Sequence, residues 1–129
     1  MFFFFQKNSC WPFGGDKGHV SVRLAPRGKV VPNSVSLEHV PSSIAHSVES
    51  APKKYQVWGY KNVGDANPVR LDAGNCHFDA NDEQPIQFCD LKDRATRRPV
   101  NIVQLRVLSN HGNEHYTCIY RFRVHGDRV

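Results

Sequence analysis

The amino-acid sequence predicts an all-β domain, and three observations support that class. Apolar and polar residues alternate with a period of two along most hydrophobic stretches, as they do in half-buried strands. The eight Pro and nine Gly residues fall mostly between these short runs, where they favour turns. No stretch of the sequence has the apolar periodicity of a helix. Many short strands with short connections predict an antiparallel β-sandwich or a partly open barrel.

The length and charge of the chain narrow the function classes. A chain of 129 residues predicts one domain with a sizeable core. The net charge is +5, but the Lys and Arg residues are scattered. Their one cluster, Arg94, Arg97 and Arg98, has no interleaved aromatics, so no nucleic-acid partner is predicted. The hydrophobic residues Met1–Phe5 are too few for a signal-peptide core or a membrane span, so the chain as given is expected to carry neither.

The first half of the chain contains three predicted strands separated by loops. The strands are His19–Ala25, Ser34–Val40 and Tyr55–Tyr60, and the loops between them are residues 26–33 and 42–54. In the second strand, Val35, Leu37 and His39 share a face, and Pro41 ends it because proline has no N–H for a ladder. The third strand has aromatic residues on both faces, which predicts a central position in a sheet.

The second half of the chain predicts two hairpins. Short runs at Val69–Leu71 and Asn75–Phe78 precede a turn at Asp79–Glu83, and the returning strand is Pro85–Leu91. The runs Val103–Val107 and Tyr116–Val124 are predicted to pair through the turn-forming residues Ser109–Asn113. In the last strand five alternate residues are expected on one face, namely Tyr116, Cys118, Tyr120, Phe122 and Val124.

The four cysteines are Cys10, Cys76, Cys89 and Cys118. None of them forms a C-x2-C or C-x4-C pair, so a structural zinc site has little support. Cys76 and Cys89 lie symmetrically about the predicted turn Asp79–Glu83 and could face each other across a hairpin. A disulfide between these two cysteines and a pair of buried free thiols both fit the sequence.

One stretch resembles a catalytic motif, but its context opposes that interpretation. Residues His111–His115 match H-x-x-E-H, the inverted zincin pattern, which needs a helix to bring both imidazoles to one metal ion. Here Gly112 and Asn113 lie in a predicted turn between strands, where the two rings would point apart. The sequence also lacks a G-x-S-x-G elbow, a Walker loop and a G-x-G-x-x-G motif. No enzyme is predicted.

Three sequence blocks, in order, resemble SUN domains, the luminal module of nuclear-envelope bridges. They are CWPFGGDKGHVSVRLA (Cys10–Ala25), SVSLEHVPSSIAHSVESAPKKYQVWGY (Ser34–Tyr60) and LRVLSNHGNEHYTCIYRFRVHG (Leu105–Gly126). The resemblance implies a compact antiparallel β-sandwich of the SUN-domain, galactose-binding-like type over residues 10–129, preceded by a non-matching segment 1–9. It also implies that the chain is truncated on its N-terminal side, without the hairpin called the KASH lid and without the coiled coil that precede this part in the family.

The resemblance implies a disulfide and a peptide site. The family's intradomain disulfide corresponds to Cys10 and Cys118, and it requires an oxidising compartment such as the perinuclear lumen. In the family, the C-terminal carboxylate of a KASH peptide lies in a pocket whose residues correspond to His39, Ser50, Tyr116 and Tyr120. Hydroxyl and imidazole donors suit a carboxylate. As an alternative, the tyrosines are core residues with satisfied hydroxyls, and His39 is structural.

The resemblance implies further properties of the whole protein. A monovalent cation, typically potassium, would be held by main-chain carbonyls of Ser9 and Tyr120. The full-length protein would be a homotrimer of the inner nuclear membrane with this domain in the lumen, and it would touch the membrane only through upstream segments. It would anchor KASH-protein tails, bridge the two nuclear membranes and couple the nucleus to the cytoskeleton. The alternative functions are a sandwich that recognises a carbohydrate or small ligand, favoured by exposed aromatics on loops, and a folded domain that binds nothing.

Overall fold

The computed structural model describes residues 3–24, 29–40, 48–62, 64–92 and 98–128, and for residues 3–9 and 128 the backbone alone. This part of the chain contains eight strands and no helix, so the predicted all-β class is confirmed. The strands are β1 (Phe3–Gly14), β2 (Gly18–Arg23), β3 (Val30–Glu38), β4 (Tyr55–Tyr60), β5 (Val69–Arg70), β6 (Ile86–Asp90), β7 (Ile102–Val107) and β8 (Tyr116–Arg128).

The strands form two four-stranded antiparallel sheets with the core between them. The first sheet has the order β1-β8-β3-β6, and the second has the order β2-β7-β4-β5. Fully buried side chains come from both sheets, including Val35, Leu37, Phe122 and Val124 from the first and Val57, Val103 and Leu105 from the second. Because β4 pairs with both β7 and β5, its predicted central position is confirmed. The antiparallel β-sandwich is therefore the observed architecture.

The predicted C-terminal hairpin is wrong. β7 and β8 follow each other in the chain but belong to different sheets, so their connection crosses from one sheet to the other. The connecting loop finds its backbone partners in residues 48–54 instead: Leu108 N donates to Lys54 O at 2.8 Å, and His111 N donates to Ala51 O at 3.1 Å. A turn-forming sequence between two alternating runs specifies that the chain reverses, but it does not specify that the two runs pair.

The predicted single face of β8 is also wrong. Ile119 joins the apolar core and pairs with Trp11, whereas Cys118 lies outside the core cluster. Farther along the strand, Phe122 and Val124 occupy the core, so the alternation changes phase between Ile119 and Phe122. The change coincides with an irregularity in the β1–β8 ladder, where residues 7–10 of β1 stand opposite Tyr120 alone. Tyr116, Cys118 and Tyr120 therefore do not share the face of Phe122 and Val124.

Several strand bounds differ from the predicted ones. β1 includes residues 3–9, which the sequence placed before the domain, and β3 begins at Val30, inside a predicted loop. Residues 75–78 form only a single bridge, between Lys54 and His77, and β6 pairs with β3 rather than with them. In each case a distant strand offers the backbone partner, and local composition carries no information about it. Parts of the predicted loops, including Arg94 and Arg97, lie outside the described residues.

Both cysteine pairs form disulfides. Cys10 in β1 is bonded to Cys118 in the neighbouring β8, with Cα atoms 5.3 Å apart, as the family resemblance implied. Cys76, in the loop after β5, is bonded to Cys89 in β6, with Cα atoms 5.5 Å apart. Of the two states that the sequence left open for Cys76 and Cys89, the structure therefore contains the disulfide.

We expect the two disulfides to contribute unequally to the free energy of unfolding. The Cys10–Cys118 bond spans 108 residues and the Cys76–Cys89 bond spans 13. In the chain-entropy treatment these loops correspond to about 5 and about 3 kcal/mol. Paired Cys→Ser variants, Cys10→Ser/Cys118→Ser and Cys76→Ser/Cys89→Ser, should be compared by urea unfolding under non-reducing conditions. A larger loss for the second pair would contradict the expectation.

Candidate functional site

Three chain segments meet at one end of the sandwich. They are His39 directly after β3, the segment of residues 48–54 with Ser50, and the start of β8. Ser50 O accepts a hydrogen bond from Cys118 N at 2.8 Å, which fixes Ser50 beside the strand that carries both tyrosines. The His39 ring lies perpendicular to the Tyr120 ring, with centroids 4.9 Å apart. Residues predicted from three separate segments are thus brought to one region.

His39 is buried, and only one of its two ring nitrogens has a hydrogen-bond partner among the described residues. Its side chain is 3% exposed and also lies edge-on to Phe78, with centroids 6.3 Å apart. Nδ1 lies 2.9 Å from Val40 O, and since a carbonyl only accepts, Nδ1 carries the proton. In the neutral ring Nε2 is therefore an acceptor, and it is buried without a partner among the described residues. A buried polar atom of this kind requires an explanation, and a ligand group provides one.

The protonation of His39 is unfavourable in the free domain. Burial lowers the pKa of the imidazole below its usual 6.5, because removal from water penalises the charged ring. The hydrogen bond to Val40 O opposes this lowering, and the electrostatic interaction with His111 adds to it. The neutral form consequently dominates near pH 7, with Nε2 unprotonated.

The two tyrosines are accessible to a ligand. Tyr116 is 42% exposed, and Tyr120 is half-buried against His39. In this part of β8 the buried residues are Thr117, Cys118 and Ile119, whereas neither tyrosine is buried. The alternative that Tyr116 is a core residue is therefore wrong. Hydrogen bonds to its backbone N–H and carbonyl place Tyr116, and its side chain lies exposed at the rim.

The sequence indicated a turn at residues 109–113 but not the residue that organises it. The Asn110 side chain donates to Asn113 O at 2.8 Å, Tyr116 O at 3.2 Å and Thr117 Oγ1 at 3.0 Å, and its Oδ1 accepts from Gly112 N at 2.9 Å. One amide group therefore ties the loop to the start of β8 and sets the position of Tyr116. The available signal was the preference of Asn for turns, which does not distinguish Asn110 from Asn113.

The H-x-x-E-H motif lies in the loop between β7 and β8, as predicted. His111 Nε2 is 2.7 Å from Phe78 O, so this nitrogen donates its proton to a backbone carbonyl. Within the described ranges no three His, Cys, Asp or Glu side chains are grouped so that they could hold a metal ion. The motif serves to fasten the loop against residue 78.

The ladder between β1 and β8 is interrupted at the residues around Ser9. Residues 7–10 have no Cα partners in β8, because the bulge interrupts the ladder between Gln6 and Trp11. Ser9 precedes Cys10, whose bond to Cys118 holds this stretch two residues from Tyr120 along β8. Carbonyl groups released from a ladder are ligands of the type that monovalent cations accept. The residues present therefore fit the cation that the resemblance implied.

Fold and site together define a class of protein, an antiparallel β-sandwich with a candidate site at one end. Solved structures support the fold. A family 32 carbohydrate-binding module from Streptococcus pneumoniae EndoD has a TM-score of 0.61 at 14% identity, over 92% of this chain and 75% of that one. An F5/8 type C domain from Bacteroides fragilis has a TM-score of 0.60 at 15% identity, over 95% and 76%. At these identities the likeness is one of fold alone.

The chain belongs to the SUN-domain family. The family described as "Sad1 / UNC-like C-terminal" matches residues 3–128, a range that includes residues 3–9. The chain is similar to the Klaroid protein of Drosophila melanogaster (37% identity) and to SUN domain-containing proteins 1 of Homo sapiens (37%) and 3 of Mus musculus (37%). The alignments cover 94%, 94% and 91% of this chain, but only 12%, 15% and 35% of those relatives. In the described ranges no helix is long and apolar enough to cross a membrane.

We expect the buried His39 to make the free domain less stable in acid. Its folded-state pKa is lowered, so the unfolded chain binds more protons and stability is lost as pH falls from the unfolded value of about 6.5 towards the folded one. NMR titration of the imidazole should give a pKa below 6.5. In His39→Gln this part of the pH dependence of unfolding should disappear, whereas the exposed control His115→Gln should retain it. An ordinary His39 pKa would contradict the assignment.

Proposed function

We propose that this domain binds the C-terminal carboxylate of a KASH-protein tail at the site formed by His39, Ser50, Tyr116 and Tyr120. The observation that carries the proposal is the buried His39 Nε2 without a hydrogen-bond partner in the described part of the chain, next to Tyr120. If the domain bound nothing here, the unpaired nitrogen would destabilise the fold and no interaction would compensate for it. Family membership supports the ligand class.

The chemistry of the four residues suits a terminal carboxylate. Ser50 and the two tyrosines are hydroxyl donors, and hydrogen bonds to a charged acceptor are stronger than neutral ones. His39 can donate from Nε2 only when the ring is protonated, because Nδ1 is already committed to Val40 O. A bound carboxylate supplies the negative charge that stabilises the imidazolium. Tail binding is therefore coupled to the uptake of a proton.

The bulge between β1 and β8 supports a cation site beside the peptide site. The main-chain carbonyls of Ser9 and Tyr120 would hold a monovalent cation such as potassium. The ion would supply a positive charge that fixes the backbone of residues 7–10. Because Tyr120 belongs to both sites, ordering of the backbone of residues 7–10 and ordering of the carboxylate pocket are linked.

The cellular role follows from the peptide site. We place the domain in the perinuclear lumen, whose oxidising conditions agree with two disulfides. There it would anchor KASH tails, bridge the inner and outer nuclear membranes and connect the nucleus to the cytoskeleton, as part of a homotrimer in the full-length protein. We propose a binding role without catalysis. In the described ranges the exposed aromatic side chains, Phe88 and Tyr116, lie on strands, so the loops give no support to the carbohydrate alternative.

Removal of single hydroxyls should weaken tail binding. Each lost hydrogen bond to a charged group is worth roughly 1.5–3 kcal/mol, so Tyr116→Phe or Tyr120→Phe should raise the Kd for a KASH-tail peptide about ten- to a hundredfold. The matched control is Tyr60→Phe, at the opposite end of β4 from residue 55. Calorimetry on the full chain gives the Kd values. Equal affinities for all three variants would show that the tyrosines do not contact the ligand.

The terminal carboxylate itself should be the recognised group. A peptide with an amidated C-terminus lacks the charged oxygen that accepts hydrogen bonds from the hydroxyl and imidazolium donors. A peptide extended by one residue places additional backbone where the carboxylate should be. Both should bind at least as weakly as the free acid binds to Tyr116→Phe. Undiminished binding of the amidated peptide would leave the family fold in place but remove this pocket as the site.

Tail binding should strengthen as pH falls. The carboxylate raises the pKa of His39 in the complex above its value in the free domain, so affinity rises by up to about tenfold per pH unit between the two pKa values. Calorimetry in buffers of different ionisation enthalpy should show proton uptake of up to one per peptide. The His39→Gln variant should bind more weakly and show no such uptake. Unchanged uptake in this variant would assign the proton to another group.

A further inference from the structure

We propose a second ligand site, for a small organic anion with a phosphate or sulfate group, in a cavity at the opposite end of the sandwich. The cavity has a volume of about 460 Å³ and is lined by Lys29, Lys61, Val69, Arg98 and Pro99. Lys29 precedes β3 and His39 follows it, so the nine residues of β3 separate the two sites by about 30 Å. The proposal does not depend on the peptide site.

Backbone pairing fixes the segments that line this cavity. Val30 and Val100 exchange two hydrogen bonds, of 2.9 and 2.8 Å, and this antiparallel bridge ties the segment that carries Lys29 to the segment that carries Pro99. Asn101 N donates to Tyr60 O at 2.9 Å and so holds the end of β4, next to Lys61, against the same bridge. The cavity is therefore formed by the sandwich itself.

Close packing beneath the cavity reinforces this framework. Val69 pairs with Gly59 in β4. A Cβ atom at Gly59 would lie 2.7 Å from Val100 Cγ1, so glycine is what allows β4 to approach the bridge this closely. The positions of Val69 and Pro99 are consequently set by packed backbone rather than by side-chain rotamers.

The charge of the cavity is unbalanced. Among the described residues, its lining contains two ammonium groups and one guanidinium group but no carboxylate. Elsewhere in the described part, Arg70 is paired with Asp72 at 2.9 Å and Arg121 with Glu38 at 3.7 Å, whereas none of the three cavity cations forms an ion pair with another described residue. Three cationic donors around one concave space attract an anion, and low-dielectric walls strengthen that attraction.

The arrangement also indicates the chemical class of the anion. Three separate donors match the three terminal oxygens of a phosphate or sulfate ester better than the two of a planar carboxylate. Val69, 38% exposed, and Pro99 add an apolar surface that a bare inorganic ion would leave uncovered. The ligand expected here therefore combines a phosphoryl or sulfuryl group with an organic body.

Titration of the 15N-labelled full chain tests the proposal. Glycerol 3-phosphate, added at constant ionic strength, should shift the amide signals of Lys29, Lys61, Val69 and Arg98 in a saturable manner. The double variant Lys61→Gln/Arg98→Gln should raise the Kd at least about tenfold, because it removes two charged donors. The matched control is Lys17→Gln/Lys53→Gln, which removes two exposed lysines near the other end. Its Kd should stay within about twofold.

The outcomes distinguish a soluble anion from a lipid headgroup, and they include results that would refute the proposal. Vesicles of equimolar phosphatidylcholine and phosphatidic acid should be compared with glycerol 3-phosphate on the same variants. If Lys61→Gln/Arg98→Gln weakens binding of glycerol 3-phosphate and the vesicles do not bind, the ligand is a free anion. If the same variant also weakens binding of the vesicles, the ligand is a lipid headgroup. Equal losses in both double variants, or shifts spread over all surface lysines, would overturn the proposal and indicate general charge attraction. Neither result bears on tail binding, which is measured separately with the peptide.

Discussion

Backbone pairing of β8 on both of its sides is the constraint on which the rest of this structure depends. β8 lies between β1 and β3, and the disulfide from Cys118 to Cys10 closes the β1 side covalently. On the core side, Phe122 and Val124 fill the space between the sheets. Because the crossing loop before β8 hydrogen-bonds to residues 48–54, the position of this strand also determines where Ser50 lies. Core, disulfide and candidate site therefore share one element.

The bulge opposite Tyr120 connects that constraint to function. A regular strand would have directed Tyr116 and Tyr120 to the same face as Phe122, inside the core. Where the ladder is interrupted, Thr117, Cys118 and Ile119 are buried and the tyrosines stay accessible. The same interruption leaves residues 7–10 without Cα partners in β8. Bulges commonly re-aim side chains beside functional sites, and here the proposed peptide site and the proposed cation site both lie at a single irregularity.

The two ends of the sandwich suit anions by different physical means. At the His39 end the imidazole is buried, and the proposed recognition rests on a few hydroxyl groups and a proton that the ligand itself would stabilise. At the Lys29 end the cavity is open, and the proposed attraction for an anion comes from permanent positive charges. The first arrangement gives selectivity for one geometry and a response to pH, while the second gives attraction that salt weakens. β3 spans the distance between them and belongs to neither.

The sequence by itself determined the all-β class, the central place of β4 and, through its resemblance to SUN domains, the Cys10–Cys118 pair and the family. Period-two alternation fixes which residues can share a face, and turn residues fix where the chain reverses. Only the tertiary structure decided that β7 and β8 belong to different sheets, that β8 changes phase before Phe122, and that His39 Nε2 lacks a partner among the described residues. These features depend on hydrogen bonds between residues far apart in the chain, which local patterns do not encode.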